Sequence, residues 1–291
     1  MRRKTITRTL LTALLAFVTF SASAQSFSSF ILSGKAGELA AGDLSFRTPE
    51  LAAHSIQADV SFGSWTPGSL SYFALQAGGF LPVNDKLGFR LDYRNNLFSA
   101  FDRVDENGNV KGTVKPGEQR ILAGVSLHLA GFYYIDVNAK YLSTTLDENK
   151  ASAFAGDIGA SYHKDALTVG LKLADLGTKY DFGSTAYSLP MRLLAGGSYR
   201  IAPAEKHAVM VGADLGYILP QGYKAFTAAA GVEYTFNRMI MARAGYHYSS
   251  AAAPQFASFG LGFALKGISL DAAYLLGSGG NAWTVGVHAT L

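Results

Sequence analysis

The 291-residue sequence contains no cysteine, which removes disulfides, thiolate metal sites and cysteine nucleophiles from consideration. It has no hydrophobic run long enough for a membrane-spanning helix. The apolar stretch Leu10 to Phe20 is eleven residues, well short of the roughly 20 that a bilayer-spanning helix needs. It also lacks any cluster of Lys and Arg that could track phosphates, so a nucleic-acid partner is not expected. Basic residues are concentrated at the extreme N-terminus, where Arg2, Arg3, Lys4 and Arg8 precede the apolar stretch and Ser21-Ala22-Ser23-Ala24 follows it. A basic start, a short apolar middle and an Ala-x-Ala end have the form of a secretory signal peptide. Residues 1–24 are therefore expected to be removed, leaving Gln25 first. The remaining chain carries 21 basic and 21 acidic residues, so the basic overall balance belongs to the targeting segment alone. Nothing in its composition marks a linker between domains.

What is present from Ile56 onward is a period of two. In Leu87-Gly88-Phe89-Arg90-Leu91-Asp92-Tyr93-Arg94, the apolar Leu87, Phe89, Leu91 and Tyr93 share one face while Arg90, Asp92 and Arg94 share the other, as expected of an amphipathic strand. Segments of this kind recur near 56–63, 69–80, 86–96, 118–130, 132–143, 152–163, 166–175, 190–201, 206–219, 224–236, 238–248, 256–265, 268–276 and 282–291. About fourteen strands of roughly ten residues fit an all-β, transmembrane antiparallel barrel. Tight turns are expected near 131, 164–165, 237 and 266–267, with modest ones at 81–85 and 202–205. They alternate with longer connections, among them 97–117, 144–151, 176–189 and 249–255. This alternation predicts short periplasmic turns, longer external loops, and both termini on the periplasmic side of the outer membrane.

Charges fall in the less apolar phase of each strand, so they are expected to face a polar lumen. A Lys or Arg facing lipid at mid-depth would cost about 2–4 kcal/mol. Arg90, Asp92, Arg94, Glu233, Arg243 and Asp271 are candidates for a lumen charge network. Aromatic residues at strand ends, such as Tyr133, Tyr134, Tyr217, Tyr246 and Tyr248, are placed for interfacial girdles. Glycines also collect in the inward phase, at 124, 170, 196, 212, 231, 245, 260 and 286, leaving room for something to approach the inner wall closely. The available segment is 25–55, rich in Ala, Gly and Ser. It is expected either to plug the barrel formed by 56–291 or to hang as a periplasmic arm, and only the first keeps Phe27, Phe30, Ile31, Leu39, Leu44 and Phe46 out of water.

No catalytic or cofactor constellation is expected. The six histidines, at 54, 128, 163, 207, 247 and 288, have no metal-ligand spacing. Ser126 and His128 share an inward face, but solvated lumen residues account for them better than a hydrolase site does. Asp102, Asp105 and Glu106 sit on the longest loop, where Arg103 breaks the oxygen-ligand spacing of a calcium site. With Tyr180, Phe182 and Tyr187 on the other long connection, they are candidate contacts for a partner protein.

The second half of the chain resembles the PorV/PorQ family of Bacteroidota outer-membrane proteins, whose members resemble the fourteen-stranded FadL fatty-acid channels. The likeness rests on Val169 to Tyr180 leading to Ser188-Leu189-Pro190-Met191-Arg192-Leu193, on Ala230 to Tyr234 leading to Met241 to Tyr246, and on Phe259 to Phe263 leading to Leu270 to Tyr274. Asp105-Glu106-Asn107-Gly108-Asn109 before Gly112-Thr113 is similar too. At the N-terminus Ala36 to Gly42 echoes the family's Ala/Gly-rich run, while Thr48-Pro49-Glu50 stands in place of Asn-Pro-Ala. The resemblance implies a non-enzymatic accessory or shuttle component of type IX secretion or a related outer-membrane machine. Such a component acts through other outer-membrane or secretion proteins, in contact with lipid. The alternative is a FadL-like transporter of hydrophobic small molecules.

Overall fold

A computed structural model describes residues 36–66, 71–105, 107–146, 149–181, 186–219, 225–250, 255–278 and 280–291. After a short helix α1 (Ala36–Ala40) and a 3-10 turn (Glu50–Ala53), the chain forms β1 (Gln57–Thr66), β2 (Tyr72–Asn84), β3 (Leu87–Phe98), β4 (Phe101–Val104), β5 (Val110–Val114) and β6 (Gly117–His128). It continues with β7 (Tyr133–Leu146), β8 (Asn149–Lys164), β9 (Leu167–Gly177), β10 (Lys179–Asp181), β11 (Ala186–Ser188) and β12 (Arg192–Ala204). The last six strands are β13 (His207–Ile218), β14 (Ala225–Phe236), β15 (Ile240–Ser249), β16 (Phe256–Leu265), β17 (Ile268–Gly277) and β18 (Gly280–Thr290).

Fourteen of these strands close into one antiparallel barrel, in the order β1-β18-β17-β16-β15-β14-β13-β12-β9-β8-β7-β6-β3-β2. They coincide with the fourteen alternating segments of the sequence to within a few residues at each end. The two other pairs, β4–β5 and β10–β11, are small hairpins standing on the connections 97–117 and 176–189. Period-two reading missed them because three to five residues are too few to show an alternation. The expected long connection 144–151 is instead wall: Thr144 pairs with Ala151, Thr145 with Lys150 and Leu146 with Asn149.

Described turns at 85–86, 129–132, 165–166, 205–206, 237–239 and 266–267 all lie at the end where β1 begins and β18 finishes. Both hairpins stand at the other end. In the 266–267 turn both central residues have positive φ, 50° at Lys266 and 83° at Gly267, the backbone that a two-residue hairpin turn with strand-matched twist requires.

The wall is turned inside out relative to a water-soluble protein. On β3, Leu91 is 63% exposed, whereas Asp92 and Arg94 are 3% exposed. The same outward apolar row continues on β16 with Phe259, Leu261 and Phe263, and on β18 with Trp283, Val285 and Val287. So large a continuous apolar exterior is stable in contact with lipid rather than water. Of the aromatic residues placed at the girdles, Tyr133, Tyr217, Tyr246 and Tyr248 face outward. Tyr134 does not: its phase turns it inward, where it is buried and stacks on His128 at 4.5 Å.

An arginine at Leu261, mid-strand and outward, is expected to destabilise the barrel in lipid vesicles by about 2–4 kcal/mol, whereas Leu265→Arg at the strand end costs about 0–1 kcal/mol. Urea unfolding of the two variants in vesicles measures this depth dependence.

Candidate functional site

The inner face is built around residues 36–54, which lie along the wall. Glycine makes this approach possible. A Cβ on Gly231 would overlap the backbone of Ala41, one on Gly245 the backbone of Gly42, and one on Gly260 the side chain of Ala40. Farther round the barrel, Gly212 meets Leu44 and Gly170 meets Phe46. Gly124 and Gly196 instead make room for Asn138 and Asp214. Polar contacts fix the same track: Ser258 Oγ donates to the Ala40 carbonyl at 3.0 Å, and the Ser45 N–H donates to the Asp214 carboxylate. The 3-10 turn then reaches the opposite wall, where Leu51 packs with Phe80 and Tyr134. Of the six apolar side chains expected to need cover, Leu44 and Phe46 are buried. Phe27, Phe30, Ile31 and the Leu39 side chain lie outside the described residues, as do the expected signal peptide and Gln25.

The six candidate network residues divide into two groups. Glu233 and Arg243 are direct cross-strand partners on β14 and β15. Arg243 Nε contacts Glu233 at 2.7 Å, and its Nη1 reaches past β16 to Asp271 on β17. That reach depends on Gly262, where a Cβ would lie 2.7 Å from Arg243 Nη1. Arg47, from the N-terminal segment, joins Glu233 at 2.8 Å. In the second group Arg90 binds Asp92 on its own strand and Glu50 of the 3-10 turn, the latter at 2.8 Å. Arg94 Nε donates to Asn96 at 3.1 Å, and Asn96 donates to Glu118 at 3.2 Å. The latter part of the N-terminal segment is thus tied by ion pairs to two separate parts of the wall, through Arg47 to β14 and through Glu50 to β3.

A third cluster was not among the sequence candidates. Lys140 bridges Asp157 at 2.6 Å and Asp175 at 2.8 Å, and Arg192 binds Asp175 at 2.8 Å. By period, Asp175 belongs to the outward row with Leu171 and Leu173. A left-handed backbone there (φ 60°) and a register shift between Gly156 and Ile158 turn it inward. Aspartate tolerates that conformation better than most residues. The signal available in the sequence was an acid standing in an apolar row. Between this cluster and the loop end is a small cavity of about 50 Å³, lined by Arg94, Arg120, Lys140, Asp175 and Arg192 together with Tyr180 and Leu189.

Tyr180 is only 5% exposed and packs with Ala151, Ala153, Ala155 and Leu189. It covers the cavity and is not offered to a partner. Asp102 is exposed on β4, and Asp105 holds the tip of the β4–β5 hairpin. Glu106, Phe182 and the Tyr187 side chain lie outside the described residues.

The Ser/His pair is not assembled. Ser126 Oγ donates to Asp136, while the two ring nitrogens of His128 lie 3.1 and 2.9 Å from the carbonyls of Asp85 and Gly131. Among the described residues, no group of three or more His, Asp or Glu side chains could hold a metal ion.

No family model and no curated protein matches the sequence. Solved structures do match the fold. The Ralstonia pickettii toluene transporter TbuX superposes with a TM-score of 0.60 at 13% identity, over 88% of this chain and 97% of that one. The monoaromatic hydrocarbon channel CymD gives 0.58 at 13% identity, over 81% and 88%. The P. putida toluene transporter TodX gives 0.56 at 12% identity, over 81% and 89%. The chain therefore has the closed fourteen-stranded barrel fold of the FadL/TodX channels.

Two outcomes follow. Arg243→Ala strands Asp271 beside one hydroxyl and is expected to cost about 3 kcal/mol in urea unfolding. Arg243→Lys recovers less than half of it, because an ammonium cannot fork between two carboxylates. In the hairpin, Asp105 accepts from the backbone N–H groups of Asn109 and Asn107, both at 2.9 Å. The Asn109 bond is foremost in holding its carboxyl below the ordinary value of 3.8. Its stabilisation of the tip is complete above that value and is lost as pH falls through the lower folded one. Amide resonances of Asn107 and Asn109 should move on acidification with a midpoint below pH 3.8.

Proposed function

We propose that the protein is an outer-membrane channel for small hydrophobic molecules, with both termini periplasmic, residues 1–24 a cleaved signal peptide and residues 25–55 a hatch in the barrel of 56–291. The observation that carries this reading is the N-terminal segment drawn across the lumen of a fourteen-stranded barrel, held by Arg47–Glu233, Glu50–Arg90 and Ser45–Asp214. Such a segment is fastened by a few polar contacts over a track of small residues. It can therefore shift without disturbing the wall, whose strands are fully paired with each other. The likeness to transporters of toluene and channels for monoaromatic hydrocarbons supports the substrate class by analogy of fold.

A second reading has its own observation. The described cavity is charged and about 50 Å³, whereas cavities that hold benzene are about 150 Å³ and apolar. A small, charged cavity of this kind suits a barrel that acts through its external face. In that case the protein is an accessory of type IX secretion or of a related machine, as its resemblance to PorV/PorQ implies, and the β4–β5 hairpin with Asp102 is the contact surface.

The two separate in one comparison. Cells carrying the barrel should accumulate labelled toluene faster than cells without it, and mild-detergent extraction should yield the barrel alone. Unchanged uptake together with stoichiometric co-purification of outer-membrane proteins would establish the accessory role instead.

A further inference from the structure

Arg94 on β3 and Arg120 on β6 are directly opposite each other in register, and both serve the same cavity. Like charges placed across neighbouring strands oppose pairing, so two facing guanidinium groups need something between or around them. The other cations nearby have carboxylates at hand: Arg90 has Asp92 and Glu50, Lys140 has Asp157 and Asp175, and Arg192 has Asp175. Arg120 differs. It forms no ion pair among the described residues, and its Nε is buried without a hydrogen-bond partner. Burying a guanidinium N–H without a partner is costly. The cavity walls carry four cations, Arg94, Arg120, Lys140 and Arg192, against two carboxylates, Glu118 and Asp175.

We infer that this cavity is a binding site for a small oxyanion, a free phosphate or the carboxylate of a small acid, held by Arg120 and flanked by Arg94. Planar guanidinium groups present paired N–H donors that match the oxygen spacing of both anion types. About 50 Å³ admits such a group but no aromatic ring. Leu189 and Tyr180 line the cavity beside the arginines, an apolar border that reduces the water next to the charge. The site is independent of whether the barrel transports hydrocarbon or serves another machine, since it asks only for the cavity and its arginines.

The test is thermal unfolding of the full-length barrel in detergent, at matched ionic strength, in chloride alone, in chloride with inorganic phosphate and in chloride with acetate. Ligand that binds only the folded state raises the midpoint. Wild type should gain several degrees with at least one oxyanion; a response to phosphate alone assigns phosphate, and one to acetate alone assigns a carboxylate. Arg120→Gln should lose the response and stand no lower than wild type in chloride alone, because the Arg94 repulsion is gone. Arg120→Lys should keep less than half of the shift, which decides the matter if the glutamine variant fails to fold. No shift in either oxyanion, or equal shifts in wild type and variants, would overturn the proposal. A lower midpoint for Arg120→Gln in chloride alone would also do so, since Arg120 would then be paired within the protein.

Discussion

Each strand of the wall gives its backbone N–H and C=O groups to two neighbours, and the pairing of β1 with β18, ten positions from Gln57↔Thr290 to Thr66↔Asn281, leaves none at an edge. In a medium without water, an unpaired backbone group costs several kcal/mol, so closure is the condition for this chain to exist in a bilayer. Closure in turn dictates the rest. Outward positions must be apolar, inward positions are free to be polar, and a barrel of fourteen strands encloses more space than its own inward side chains need to fill.

The surplus space is taken up in two ways. Small inward residues, above all the glycines at 231, 245 and 260, let residues 36–54 lie directly on the wall. Elsewhere the inward residues are long and charged, and they satisfy one another across strands. Arg243 links β14, β15 and β17 through Glu233 and Asp271, while Lys140 and Arg192 link β7, β8, β9 and β12 through Asp157 and Asp175. Both devices brace the barrel. Only the first involves a segment that lies outside the hydrogen-bonded strands of the wall, which is why the proposed hatch is placed there.

Most of the wall was legible in the sequence because a lipid-facing strand with a polar reverse face must alternate, and alternation is visible one residue at a time. Phase alone put Glu233, Arg243 and Asp271 on the inward face; that Arg243 spans both acids and that Arg47 joins from outside the wall emerges only in three dimensions. The features that escaped depend on departures from the period or on contacts distant in sequence. Asp175 reaches the lumen through a left-handed backbone in an apolar row, and Tyr134 turns inward at a strand end where the sequence suggested an interface. Tyr180 covers a cavity that does not exist until β10 and β11 fold over β8. Glu50, Arg47 and Ser45 find Arg90, Glu233 and Asp214 only after the barrel has closed around them.

Because the chain has no cysteine of its own, one introduced pair can report on the proposed hatch without interference. Ala40→Cys with Ser258→Cys puts one thiol on the N-terminal segment and one on β16, at residues brought together by the bond from the Ser258 hydroxyl to the Ala40 carbonyl at 3.0 Å. Toluene uptake by cells carrying this double variant, compared under oxidising and reducing conditions, tests the hatch directly. Uptake that falls on oxidation and returns on reduction is the result this account predicts. Uptake that is the same in both states, with the disulfide verified, would contradict it.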